Sequence, residues 1–98
     1  MIKIDIKKDS ISIKGHSGYN TIGKDIVCAS VSSIAITTVN ALLRIDKNCV
    51  KYDQKDGYLN ISIKKHNKTI NALLENMIDL FEKLESQYSK YIKINEEV

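Results

Sequence analysis

Proline and tryptophan are absent from the 98 residues, arginine and phenylalanine occur once each, and there are only two cysteines, Cys28 and Cys49. With Arg44 as the one arginine, the usual reader of phosphates and base edges is nearly missing. The other cations are lysines scattered along the chain, apart from pairs such as Lys7-Lys8 and Lys64-Lys65, and the net charge is only +3. Nucleic-acid binders gather their cations on one face, so charge alone gives no argument for such a partner. Two cysteines without a signal-peptide pattern point to a reducing compartment, the cytoplasm, rather than to a disulfide framework. No apolar run reaches the ~18 residues of a membrane span. The nearest, Ile26 to Ile45, is interrupted by Ser30, Ser32, Ser33, Thr37, Thr38, Asn40 and Arg44 and reads as a buried helix. Linkers, repeats and low-complexity tracts are also missing, which leaves one domain over residues 1–98. The abundance of Ile, Lys and Asn fits an AT-rich genome better than a functional demand.

What is present is patterned. Ile2, Ile4 and Ile6 alternate with Lys3, Asp5 and Lys7, and Ile11-Ser12-Ile13-Lys14 alternates again after the turn Lys8-Asp9-Ser10. Period two is the signature of half-buried strands, here an antiparallel hairpin. A helix is expected from about Asp25 to Ile45, with Asp25 as a good N-cap and apolar residues on more than one face, so that it must be buried on several sides. Cys49–Tyr52 and Tyr58–Ile63 form a second hairpin around Asp56-Gly57, a strong turn signal. Ile70, Leu73, Leu74, Met77, Ile78, Phe81, Leu84 and Tyr88 recur at three- and four-residue spacing, predicting a one-faced helix capped by Asn67 or Thr69. Residues 91–94 suggest a last short strand. The order ββαββα(β) is that of an α+β fold, two helices packed on an antiparallel sheet. For a chain this short, which buries only about 60–65% of its unfolded surface, a second copy can help to cover the core.

Between the first hairpin and the helix lies a segment with three of the four glycines, Gly15, Gly18 and Gly23, and with His16. It is too long for a tight turn and too polar for core, and loops of this kind often carry function. Cys28 follows three residues after the expected N-cap. A thiol in a first helical turn sits beside unpaired amides and the positive end of the macrodipole, which favours the nucleophilic thiolate and offers donors to an oxyanion. His16, twelve residues upstream, could reach that helix end, and a Cys–His pair is the minimum set for thiol acyl transfer. The bland alternatives are that Cys28 is a small buried hydrophobe and that His16 is merely exposed. Asp25 caps the helix or orients His16. Cys49 reads as buried filler in a strand, and His66 as part of a solvated turn. No Cys-x-x-Cys or His-x-x-x-His pair supports zinc, and neither a metal nor a cofactor is expected.

The run Gly15-His16-Ser17-Gly18-Tyr19, followed by Gly23 and Asp25-Ile26-Val27-Cys28-Ala29-Ser30-Val31-Ser32, resembles the signature of the ribosomal-processing cysteine proteases. Asp56-Gly57-Tyr58 before a strand resembles that family too, and length and element order agree over the whole chain. Ser17 stands where alanine is more usual. The resemblance implies a protease that removes a short N-terminal extension from a protein of the large ribosomal subunit, with Cys28 and His16 as the catalytic pair, no cofactor, and a homodimer. It also implies that Gly15, Ser17, Gly18, Tyr19, Ile22 and Gly23 belong to a loop that orders around the substrate. Tyr19 and Ile22 are then its apolar contacts, unless they pack on the sheet. Ser32, one turn after Cys28, either hydrogen-bonds within the site or bonds its own helix backbone. That reaction needs no membrane and no direct nucleic-acid contact. Two competing readings are an RNA- or ribosome-binding module, which lacks stacking motifs although Tyr19, Tyr52 and Tyr58 are available, and an inactive adaptor.

Overall fold

A computed structural model describes the backbone of residues 1–15 and 22–97 and the side chains of residues 1–15 and 26–97. The elements follow the expected order: β1 (Ile2–Ile6), β2 (Ser10–Lys14), α1 (Ile22–Ile45), β3 (Val50–Lys55), β4 (Tyr58–Ile63), α2 (Lys68–Gln87) and β5 (Ile92–Glu96). They build an α+β fold in which five strands, in the order β3-β4-β2-β1-β5, form one sheet. Alternation along each strand sends Ile2, Ile4, Ile6, Ile11, Ile13, Leu59, Ile61, Ile63 and Ile92 inward, and all are buried. Onto them α1 lays Val27, Val31, Ala35, Val39 and Leu42, and α2 lays Ile70, Leu74, Met77 and Phe81. Each such side chain contributes about 1.5–3 kcal/mol on leaving water, which makes this shared apolar layer the main tie between helices and sheet.

The second hairpin is tighter than its sequence suggests: β3 runs on to Lys55, leaving Asp56-Gly57 as the turn, with Gly57 at φ +73°. Asn67 caps α2, its side-chain oxygen accepting from the Ile70 amide at 2.9 Å.

Two boundaries differ from expectation. The sheet is mixed, because β5 pairs parallel to β1. The cause is the length of α2: twenty residues at 1.5 Å each carry the chain about 30 Å back to the end where β1 starts. Ile94 N–H on β5 donates to Glu85 of α2 at 2.7 Å, which occupies a strand amide. The second difference concerns α1, which begins at Ile22 rather than at Asp25. Asp25 is the fourth helical residue and is not the N-cap. Ile22 and Gly23 are helical too, so the expected loop loses its last residues. A glycine inside a helix costs only about 1 kcal/mol, and an apolar stripe as long as that of α1 easily offsets it.

Along α1, Ile26–Ile45 is long and apolar enough to cross a membrane by length and composition, but its sheet-facing stripe belongs to the core described above. From Ile26 to Leu43 it carries no charge. Its outward positions are Ile26, 47% exposed, and the exposed Ala29, Ser33, Thr37 and Asn40.

Candidate active site

Chain direction fixes where the chemistry can happen. β2 ends at Lys14, α1 returns antiparallel to it, and so the start of α1 lies at the end of the sheet that also holds Met1, Gly15, Gly57 and Tyr58. Gly15 is held tightly there. Its N–H donates to the Gly57 carbonyl at 3.0 Å, its φ is +92°, and a Cβ on it would strike the Met1 carbonyl oxygen. Only glycine satisfies both the left-handed backbone and the close approach. The residues leading to His16 therefore leave the sheet from a fixed anchor.

Cys28 is the seventh residue of α1 and half-buried, packed against the core cluster. The stripe Val27, Val31, Ala35 and Leu42 faces the sheet, while Ser30 and Ile34 border the groove toward Leu84 of α2. At 100° per residue, Cys28 and Ser32 fall on the opposite flank of the helix. Ser32 is half-buried. Among the described residues it makes no side-chain hydrogen bond, whereas Thr38 further along bonds the Ile34 carbonyl at 2.9 Å. The backbone-bonded alternative for Ser32 is therefore not the one adopted.

The earlier start of α1 corrects the expected activation of Cys28. The open amides of a helix are its first four, here those of Ile22 to Asp25, and the macrodipole falls off within the first turn. Cys28 lies beyond both. Its own amide is positioned for helix bonding rather than for an oxyanion. His16, Ser17, Gly18 and Tyr19 lie outside the described residues, as do the side chains of Ile22 and Asp25.

Cys49 sits just before β3, fully buried, its thiol donating to the Leu42 carbonyl at 3.4 Å. Burial raises its pKa, with Asp46 adding to the effect. Leu42 is fourteen residues beyond Cys28, or about 21 Å of helix, so the two thiols cannot pair. His66 is more than a solvated turn residue. It links Asp9 of the β1–β2 turn through Nε2 and Asn71 of α2 through Nδ1, each at 2.8 Å. It also rims a small apolar cleft of about 140 Å³ floored by Ile6, Ile11, Ile63 and Leu74. This cleft lies at the opposite end of the sheet from Gly15. Among the described residues no three metal-binding side chains come together.

The model of the family described as cysteine protease Prp matches residues 1–93. The ribosomal processing cysteine protease Prp of Mycoplasma genitalium is 33% identical, over 99% of this chain and 97% of that protein. The Staphylococcus aureus protein of the same name is 28% identical, over 97% of this chain and 98% of its own length. Its crystal structure with a substrate peptide superposes at a TM-score of 0.91 and 24% identity, covering 99% of this chain and 100% of that one. A second structure of it, with a covalently linked product peptide, gives 0.87 at 24% identity, over 99% and 100% of the two chains. With nearly its whole length matched by the family model and a relative one-third identical from end to end, the chain belongs to the ribosomal-processing cysteine protease family Prp.

Proposed function

We propose that residues 1–98 act as one endopeptidase domain that removes a short N-terminal extension from a protein of the large ribosomal subunit, with Cys28 as nucleophile and His16 as base. The observation that carries this reading is the placement of Cys28. It is half-buried on the flank of α1 that α2 leaves uncovered, at the same end of the sheet where Gly15 sends the chain toward His16. The S. aureus relative, solved with a substrate peptide and with a covalently linked product peptide, supports a peptide substrate and a covalent intermediate.

His16 takes the Cys28 proton. The thiolate attacks the scissile carbonyl, and imidazolium returns a proton to the departing amine as the C–N bond breaks. Water, deprotonated by His16, then cleaves the thioester and restores the thiol. The His16 imidazolium stabilises the Cys28 thiolate through their opposite charges. Asp25, three residues before Cys28 and so on a neighbouring part of the helix surface, serves to orient His16. Ser32 serves as a hydrogen-bonding group beside the thiol. Gly15, Ser17, Gly18 and Tyr19, with Ile22 and Gly23 from the first turn of α1, form the substrate-binding segment.

Two further elements complete the proposal. A second copy covers the uncharged outer face of α1, since a helix lying on a sheet normally presents charge to solvent. The enzyme works in the cytoplasm, where a nucleophilic thiol stays reduced.

Incubation with a peptide spanning the extension and the mature start tests the assignment. Wild type cleaves at one bond, Cys28→Ala and Cys28→Ser do not turn over, and His16→Ala loses about 10²–10⁴-fold. Cleavage by Cys28→Ala at the wild-type rate would refute it.

A further inference from the structure

The helices cover one face of the sheet, and the other face is bare. Strand register draws on it a line that the sequence hides. Lys93 pairs with Lys3, Lys3 with Lys14, Lys14 with Tyr58 and Tyr58 with Lys55, so that one row crosses all five strands. These positions neighbour the inward Ile2, Ile13, Leu59 and Ile92 and so point outward. The row spans four strand spacings of about 4.8 Å, roughly 19 Å.

All four lysines are exposed, and among the described residues none is in an ion pair. Lys14 Nζ instead lies 5.9 Å from the centre of the Tyr58 ring. Like charges directly opposite on neighbouring strands destabilise a sheet, and this row contains two such pairs in succession, Lys93–Lys3 and Lys3–Lys14. With Lys51, the face holds five lysines against Asp5 and Asp53. That surplus equals the net charge of the whole chain, +3. An unneutralised cationic row kept at a cost to folding is complementary to an anion from outside.

We infer that this row docks the phosphate backbone of single-stranded RNA. Lysines are point charges that hold phosphates without reading sequence, and Tyr58 in the middle of the row offers a ring on which a base can stack. In the adjoining row, Asn95, Asp5, Ser12, Asn60 and Asp53, the amides and the hydroxyl can donate to phosphate or ribose oxygens, and the carboxylates can accept from ribose hydroxyls. Its Asp5 carboxylate is already engaged by Asn95 at 3.2 Å. An acidic peptide fits less well, because Tyr58 is the one apolar side chain among the described strand positions of this face and a peptide needs pockets for anchoring side chains. Lys14 is followed directly by Gly15, so RNA held on the row would lie at the same end of the molecule as Cys28. The inference stands without the proposed peptidase reaction, and binding is read separately from cleavage.

Fluorescence anisotropy with a labelled oligouridylate tests it on the full chain. Wild type binds, with log K falling against log[salt] at a slope of about −2.8 for four phosphate contacts on a single strand. Lys3→Glu/Lys93→Glu weakens binding at least tenfold and lowers the slope to about −1.4. Lys83→Glu/Lys90→Glu, which makes the same change in net charge away from the row, keeps affinity within twofold. Circular dichroism melts confirm that each variant is folded. No binding by wild type at 50 mM salt overturns the inference, and so does equal loss in both variants, which would mean net charge alone. Tighter binding of an oligoglutamate than of the oligouridylate also overturns it.

Discussion

Gly15 is the joint between the sheet and the proposed catalytic segment, and replacing it should expose how the two are coupled. In Gly15→Ala the new Cβ meets the Met1 carbonyl oxygen, and the backbone must hold φ +92° with a side chain attached. The left-handed conformation costs about 1–2 kcal/mol for a residue with a Cβ, and forcing an atom into a filled space costs about 1–3 kcal/mol more. Together they give about 2–5 kcal/mol, a large part of the 5–15 kcal/mol typical of a domain. At about 4–8 °C per kcal/mol for a chain of this size, the melting temperature should fall by at least about 8 °C. Asparagine separates the two causes, because it tolerates left-handed backbone but keeps its Cβ. Gly57→Asn, at φ +73° in the Asp56-Gly57 turn, should cost about 1 kcal/mol or less. Gly15→Asn should cost nearly as much as Gly15→Ala. Urea unfolding followed by circular dichroism measures all three variants, and peptide cleavage at 10 °C, where each is folded, measures the consequence for His16. Equal stability of Gly15→Asn and Gly57→Asn would refute the close-approach argument. Full activity in Gly15→Ala would refute the role of Gly15 as anchor.

A thiol reagent at neutral pH should modify Cys28 well before Cys49, which is fully buried with its pKa raised by that burial; faster labelling of Cys49 would contradict the packing. His66 has a raised pKa, first through its hydrogen bond to Asn71 and then through that to Asp9. Its contribution is therefore complete below the ordinary value of 6.5 and lost as pH rises through the higher folded value. His66→Gln should remove that decline from urea-unfolding stabilities measured between pH 5.5 and 8.5, and an unchanged decline would mean that another group causes it. Sedimentation at micromolar concentration should give about twice 11.1 kDa, and Ala29→Lys/Ser33→Glu on the uncharged face of α1 should give the monomer; a wild-type monomer with full activity would refute the interface.

Much of the fold is legible in the chain because the strands and α2 announce themselves locally. Ile alternating with polar residues in β1 and β2, the Asp56-Gly57 turn, and the three- and four-residue spacing from Ile70 to Phe81 are each short-range signals, and each has one structural answer. Asn67 as the α2 cap was equally open to reading. The start of α1 was not. Gly23 looks like punctuation, and Asp25 looks like a cap, but a long apolar stripe beginning at Val27 favours extending the helix backward through a glycine that costs little. The parallel pairing of β5 depends on how far α2 carries the chain, and Ile92–Glu96 alone has nothing to say about it. The bridge from Asp9 through His66 to Asn71 joins residues 62 positions apart, and the lysine row joins residues from Lys3 to Lys93. Both are products of register, invisible until the strands are laid side by side.

The shift in the start of α1 changes the chemistry more than the fold. Had Cys28 been in the first turn, open amides would hold its thiolate and the thiol would be reactive whatever His16 did. At the seventh position Cys28 lies beyond those amides. On the proposed reading, reactivity then depends on imidazolium formed at His16. On that reading, a substrate that engages residues 15–23 sets His16 beside the thiol for the reaction. Selectivity follows from the same geometry. On the proposed reading, a peptide that does not engage the segment is not cleaved, so discrimination between proteins rests on contacts away from the scissile bond. Alkylation tests this. On the proposed reading, Cys28 is alkylated at neutral pH at a different rate with a non-cleavable substrate peptide bound than in the enzyme alone, and equal rates in the two states would refute the coupling.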